Sequence, residues 1–246
     1  MKKLHGVMIL MLCTMISAAD MRTWTLLTGQ TIEGNYEGIV FDQVVLRDSD
    51  GERVRVPLDQ VSEMDRIYLE LATPPELKLD VLESAEQVFV KPSTMWQDNS
   101  PVTLMRYRLG ARIRQLSIAE YRHPLTVEIY TIAQQVYDPD KYHLVRKWSS
   151  EPFRLDQEKD RRVEIRCPKV VELAEFLLVG EFPRGERFAE SVVAVRDERG
   201  EVIACQASKN WLSDNLDKLT ALPEGAWFDD QVRRVHPTSP KAVWFD

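Results

Sequence analysis

Ile32-Glu33-Gly34-Asn35-Tyr36-Glu37-Gly38 alternates an apolar or glycine position with a polar one, the period-two mark of a strand with one face buried and the other in water. Gly34 and Gly38 fall on the inward side, where a sharp bend or a close backbone approach calls for a residue without a Cβ. The alternation returns downstream, with Val54, Val56 and Leu58 inward and Arg53 and Arg55 outward. Asp48-Ser49-Asp50-Gly51 joins the two runs as a hairpin turn. Its acidic pair does not make an EF-hand loop, because the glycine comes two residues early and the distal glutamate is missing. Residues 22–58 therefore predict short antiparallel strands with tight turns.

A helix follows directly. Ser62 is a good N-cap, and Asp65 three residues on completes a pair of capping-box type. Met64, Ile67, Tyr68 and Leu71 then recur at helical spacing, which predicts one apolar stripe turned toward a core. Thr73-Pro74-Pro75 ends the helix, since proline lacks the N–H and restricts the residue before it. The expected first domain is 20–75.

These residues bring in a resemblance. Arg22-Thr23-Trp24-Thr25, Gly29, the strand around Ile32, Leu46, Gly51 and Val56-Pro57-Leu58 resemble the SLA1 homology domain 1 family. The tail Val61-Ser62-Glu63-Met64-Asp65-Arg66-Ile67-Tyr68-Leu69 is similar to the family ending L-S-x-x-D-x-x-Y-[LV], with Val61 in place of the usual leucine. The resemblance covers residues 22–72. It implies a small SH3-like barrel with a C-terminal helix, and a fold whose eukaryotic founder binds NPFxD-type peptides. For such a ligand, Arg47, Arg53 and Arg55 would form a basic strip facing an acidic peptide residue. Trp24 or Tyr36 would seat the aromatic one.

Beyond Pro75 the strand candidates are Gln87–Lys91, Val102–Arg108, Arg112–Leu116, Leu125–Gln135, Tyr142–Ser149, Arg162–Cys167, Glu175–Phe182, Ser191–Arg196 and Val202–Ala207. Asp197-Glu198-Arg199-Gly200 makes the last connection a hairpin. Strands at this spacing predict an immunoglobulin-like β-sandwich over 76–222. Leu212, Leu216 and Leu219 mark a late amphipathic helix that stops before Pro223. Residues 223–246 form a tail carrying Trp227-Phe228 and Val243-Trp244-Phe245, whose aromatics are expected to pack back on the sandwich. The whole chain is thus expected to be mainly β.

The first nineteen residues read as a cleavable export signal: basic Lys2 and Lys3, an uncharged apolar run from Gly6 to Ile16, and Ser17-Ala18-Ala19 before a cut at Asp20. The run is short for a membrane anchor, so an exported protein, periplasmic or extracellular and without an integral membrane span, is expected. Two cysteines then remain, Cys167 and Cys205, and an oxidising compartment predicts a disulfide between them. The formal charge of −7 falls to −9 once Lys2 and Lys3 leave. That acidity argues against nucleic acid as a partner, because such binding rests on neutralising phosphates with Lys and Arg.

Catalytic signatures are absent from the sequence. His123, His143 and His236 are isolated, with no HExxH, no GxSxG elbow, no Walker A loop and no GxGxxG. Asp138/Asp140 and Asp229/Asp230 read as turn chemistry, and Arg161-Arg162 and Arg233-Arg234 as solvated pairs. No cofactor and no metal site are implied. The expected function is non-catalytic recognition of a protein or peptide. The alternatives are a self-associating structural subunit of an envelope assembly docking through its aromatic tail, and a hydrolase with an unrecognised carboxylate site.

Overall fold

A computed structural model describes residues 21–89, 101–117, 121–155, 160–177 and 183–239. The predicted signal segment and its cleavage site before Asp20, and the tail aromatics Trp244 and Phe245, lie outside the described residues. The protein is mainly β and antiparallel, and it divides into two compact units between Thr73 and Pro74. No helix among the described residues is long and apolar enough to cross a membrane.

The first unit is a four-stranded sheet in the order β1 (Arg22–Thr25), β2 (Thr31–Val40), β3 (Gln43–Arg47), β4 (Arg53–Pro57). The expected SH3-like barrel is not closed. The sheet is an open path, and only one bridge, Leu26 to Val61, joins its first strand to the chain that leaves its last. Its core gathers Trp24, Val44, Leu46, Val56, Val61 and Leu69. Gly34 is there for close approach, because a Cβ at that position would stand 3.0 Å from the Arg47 carbonyl oxygen and 3.2 Å from the Leu46 Cβ.

Helix α1 (Glu63–Ala72) starts where Ser62 accepts the Asp65 N–H, an N-cap contact. It stops before Thr73-Pro74-Pro75 as the prolines require. Its inward face is not the one that hydrophobic periodicity predicts. Met64 is 73% exposed and Ile67 and Tyr68 are also exposed, while Asp65 and Leu69 are buried. The cause is Asp65, whose carboxylate is held against β1 by the Arg22 guanidinium at 2.7 Å, the Thr25 N–H at 2.7 Å and the Ser62 hydroxyl at 2.9 Å. Those bonds turn the helix so that Leu69, one turn along, enters the core.

In the second unit, nine strands form one continuous antiparallel sheet among the described residues, not the two separate sheets expected. Two long strands are responsible. β6 (Pro101–Gln115) pairs along one side with β5 (Leu77–Gln87), and along the other with β10 (Val171–Leu177) and then β9 (Arg162–Arg166). β11 (Pro183–Arg196) pairs with β10 at its start, with β7 (Thr126–Gln135) along one side, and with β12 (Val202–Gln206) at its end. β8 (Tyr142–Ser149) and β13 (Trp227–Phe228) complete the sheet beyond β7. The sheet thus has two halves joined through β10. Leu79, Leu109, Ala111 and Ile113 of one half share a core with Val127, Ile129, Val193 and Val195 of the other.

A second core lies on the far face of β7, β8 and β11. It packs Tyr130, Ile132, Leu144, Val192 and Ala194 against Leu212 of α2 (Asn210–Asp214) and Leu216 and Leu219 of α3 (Leu216–Ala221). The single late helix expected is therefore two short ones. Phe228 is fully buried in this core, and Trp227 stacks on His143 with ring centroids 4.7 Å apart. Residues 129–133 and 191–195 are buried without interruption, as strands covered on both faces must be.

The expected disulfide is absent: Cys167 and Cys205 are both free. Cys205 packs with the helix-covered core and Cys167 with the core between the sheet halves. Each thiol thus sits in a different apolar environment.

One turn recurs. In Asp48-Ser49-Asp50-Gly51-Glu52 the Asp48 carboxylate accepts the N–H groups of Asp50 and Glu52, and Gly51 has φ +82°. Asp197-Glu198-Arg199-Gly200-Glu201 repeats each contact with Gly200 at φ +84°. In both, the preceding arginine (Arg47 or Arg196) donates back to the glycine carbonyl. Asp229 builds the same loop, but buried Val232 takes the left-handed position at φ +58°. A β-branched residue is strained there, and burial of its side chain in the helix-covered core offsets that strain.

Candidate functional site

The outer face of the first sheet carries the arginines that the sequence singled out. Arg47 and Arg53 are directly opposite on β3 and β4, and Arg55 is opposite Val45. Like charges in that position repel. The β2 strand answers with Glu37, which sits at a bulge between Tyr36 and Gly38. Glu37 takes Arg47 at 2.5 Å on one oxygen and Arg53 at 2.8 Å on the other. Partial desolvation works against its charge, but the two guanidiniums outweigh this and hold the carboxyl below its ordinary value. Arg55 has no carboxylate partner among the described residues. Glu37, Gly38, Val40, Val45, Arg53 and Arg55 line a shallow depression of ≈ 460 Å³.

The two predicted aromatic seats are not on this face. Trp24 is 1% exposed, and its indole N–H donates to the Gly34 carbonyl at 2.8 Å inside the core. Tyr36 lies on the inward side, its hydroxyl 2.6 Å from that of Thr73. Arg22 covers the edge of this cluster, with its guanidinium carbon 4.1 Å from the Tyr68 ring centre. The basic strip and the aromatics that periodicity would assemble into one site are thus separated by the sheet.

A different aromatic, Phe41, directly follows Val40, which lines this depression. Val40 pairs with Gln43, so Phe41 and Asp42 are a two-residue hairpin loop. Both have positive φ, 51° and 57°, the geometry that normally selects Asn-Gly. Phe41 is 95% exposed, and Ile39 and Val40 before it are exposed too. A bulky residue in the left-handed region with its ring in water is disfavoured twice, by backbone sterics and by solvation. The available signal was an alternation broken for only two residues between Val40 and Gln43, but phenylalanine at the first turn position and the lack of a glycine hid it.

Elsewhere the polar groups satisfy local structure. Asp138 accepts the Thr238 hydroxyl and Asp229 is committed to its loop and to Arg233. His143 Nδ1 lies 2.8 Å from Glu186, and His123 Nδ1 lies 3.2 Å from Glu198. Glu83 is held above the ordinary carboxylate range by burial and then by the charge of Glu190. Glu190 itself takes the Ser208 hydroxyl and the Ser191 N–H.

No protein-family model matches the chain. No curated protein sequence matches it. A crystal structure from Akkermansia muciniphila is similar over 61% of this chain and 79% of that one, at 12% identity and a TM-score of 0.22. That likeness is too slight to carry an argument about fold or function.

Proposed function

We propose that the chain is an exported, non-catalytic binding protein. Its first unit, an SH3-like fold of the SLA1 homology domain 1 type, takes an acidic peptide segment containing phenylalanine. The second unit, whose one continuous sheet closes two halves on a shared core, serves as its scaffold. The observation that carries the reading is Phe41, an exposed ring on a strained two-residue turn that directly follows Val40, which lines a depression edged by Arg53 and Arg55. Strain of this kind persists where surrounding structure imposes it and gathers at ligand contacts. The peptide aromatic packs between Phe41 and the Val40–Val45 floor, and its acidic residue meets Arg55, the arginine that Glu37 does not neutralise. Addition of an extended peptide as a strand at an exposed sheet edge is a recurrent recognition mode.

Calorimetric titration of the chain lacking residues 1–19 with acidic Phe-containing peptides tests this. The Arg47/Arg53/Arg55→Ala variant should lose binding. Phe41→Asn should also lose it while gaining stability by up to about 1 kcal/mol, because Asn tolerates the left-handed region. Equal affinity in wild type and both variants, or no binding by any of them, overturns the proposal.

A further inference from the structure

We propose that the second unit holds a separate site for a phosphate-class anion, formed by Arg114, Arg161 and Arg162. This inference does not depend on the peptide surface of the first unit. Its starting point is the register of the edge strand β9 on β6. Arg112 is opposite Glu164, and the two pair at 2.7 Å. Two residues along, on the same face, Arg114 is opposite Arg162. Like charges directly opposite destabilise a sheet. Among the described residues only Glu164 reaches this pair, and only on the Arg162 side. Glu164 already takes Arg112 and reaches Arg162 at 3.1 Å, which leaves Arg114 without a counter-ion.

Arg161 adds a third positive charge. Asp160 and Arg161 both have positive φ, 53° and 51°, a strained turn that places two consecutive arginines at the mouth of β9. The turn is fixed from the β6 side: Gln115 N–H donates to the Arg161 carbonyl at 3.0 Å, and Arg161 Nη1 donates to the Ser117 carbonyl at 3.0 Å. Arg114, Gln115, Ser117, Asp160, Arg161 and Arg162 line a depression of ≈ 650 Å³ together with Leu116. Ser117 Oγ accepts from Gln115 Nε2 at 3.2 Å.

Charge selects the ligand class. Among the described residues that line it, three arginines stand against one carboxylate, Asp160, an excess that a dianion balances and a single carboxylate does not. Guanidinium forks match the paired oxygens of a phosphate. The chain as a whole is acidic, at −7, so this concentration of positive charge runs against the background. Edge strands carry charge to stay unpaired, which accounts for outward-facing Arg166. It does not account for two arginines opposed at one position beside a third.

Calorimetry with inorganic phosphate at constant ionic strength should show one saturable site. Arg114→Gln should weaken it about tenfold or more, the equivalent of one charge-assisted hydrogen bond. Without phosphate, the same variant should melt no lower than wild type, because it removes a repulsion. Arg166→Gln, on the same strand outside the depression, should bind as wild type does. Co-sedimentation with phosphatidic acid vesicles, against phosphatidylcholine vesicles, separates the sources. Binding to vesicles alone assigns the site to a lipid phosphate, and binding to free phosphate assigns it to a soluble one. No binding in either arm overturns the proposal. So does an equal loss in Arg114→Gln and Arg166→Gln.

Discussion

Replacing Asp65 by alanine removes four hydrogen bonds from the first unit at once: two from Arg22, one from the Thr25 N–H and one from the Ser62 hydroxyl. The Thr25 N–H loses its acceptor, a loss of about 1–3 kcal/mol. The Arg22 side chain is 38% exposed, so water screens its pairing and its share is about 1 kcal/mol at most. The expected destabilisation is about 2–4 kcal/mol, against a total of about 3–8 kcal/mol for a unit of this size. Hydrogen exchange by mass spectrometry on the whole chain measures it. Amides of β1 and α1 should exchange about 30- to 700-fold faster, and those of β7 and β11 should not change. Burial opposes the Asp65 charge, but Arg22, Thr25 and Ser62 outweigh it and hold its carboxyl below 3.8. The stability it contributes is therefore complete above that ordinary value and lost as pH falls through the lower folded one. Asp65→Asn should abolish this acid-side loss. A change of less than threefold in β1 and α1, or an equal change in the second unit, would refute the reasoning that Asp65 sets the helix orientation.

Three other outcomes follow from the same contacts. Protein lacking residues 1–19, unfolded without reductant, should titrate two thiols, and Cys205 should react slowly when folded, since burial pushes its thiol up against the weaker opposing influence of Arg196; a titre of no thiols would restore the bridge. Burial, then the hydrogen bond to Glu128, pushes Tyr130 up to about 12, so the stability it contributes is complete below 10 and fades as pH approaches 12. Absorbance titration should show a late tyrosinate step that Tyr130→Phe deletes, and its persistence in that variant would misassign it. A fragment of residues 20–75 should show dispersed amide resonances, because its core of Trp24, Val44, Leu46, Val56, Val61 and Leu69 is self-contained; collapsed dispersion would mean that it needs the second unit.

What the sequence by itself determined is whatever is settled within a few residues of chain. The antiparallel β class followed from period-two alternation. The hairpin loops at Asp48 and Asp197 followed from an aspartate that bonds N–H groups two and four residues on and a glycine that accepts positive φ. The start of α1 followed from Ser62 and its end from Pro74 and Pro75. Tertiary structure alone decided what depends on partners far along the chain. The Leu109-Gly110-Ala111 stretch read as a break, yet it continues β6, because Gly110 lets the Ile165 carbonyl of β9 approach where a Cβ would stand 2.6 Å from it. The inward face of α1 was set by Arg22, 43 residues before Asp65, so no helical periodicity held that information. Phe41 was exposed by the pairing of its neighbours, and Arg114 was brought to Arg162 by the register of β9 on β6. Local patterning records only which face is apolar; strand register decides which charges and rings meet, because it brings together residues that are neighbours in no local sense.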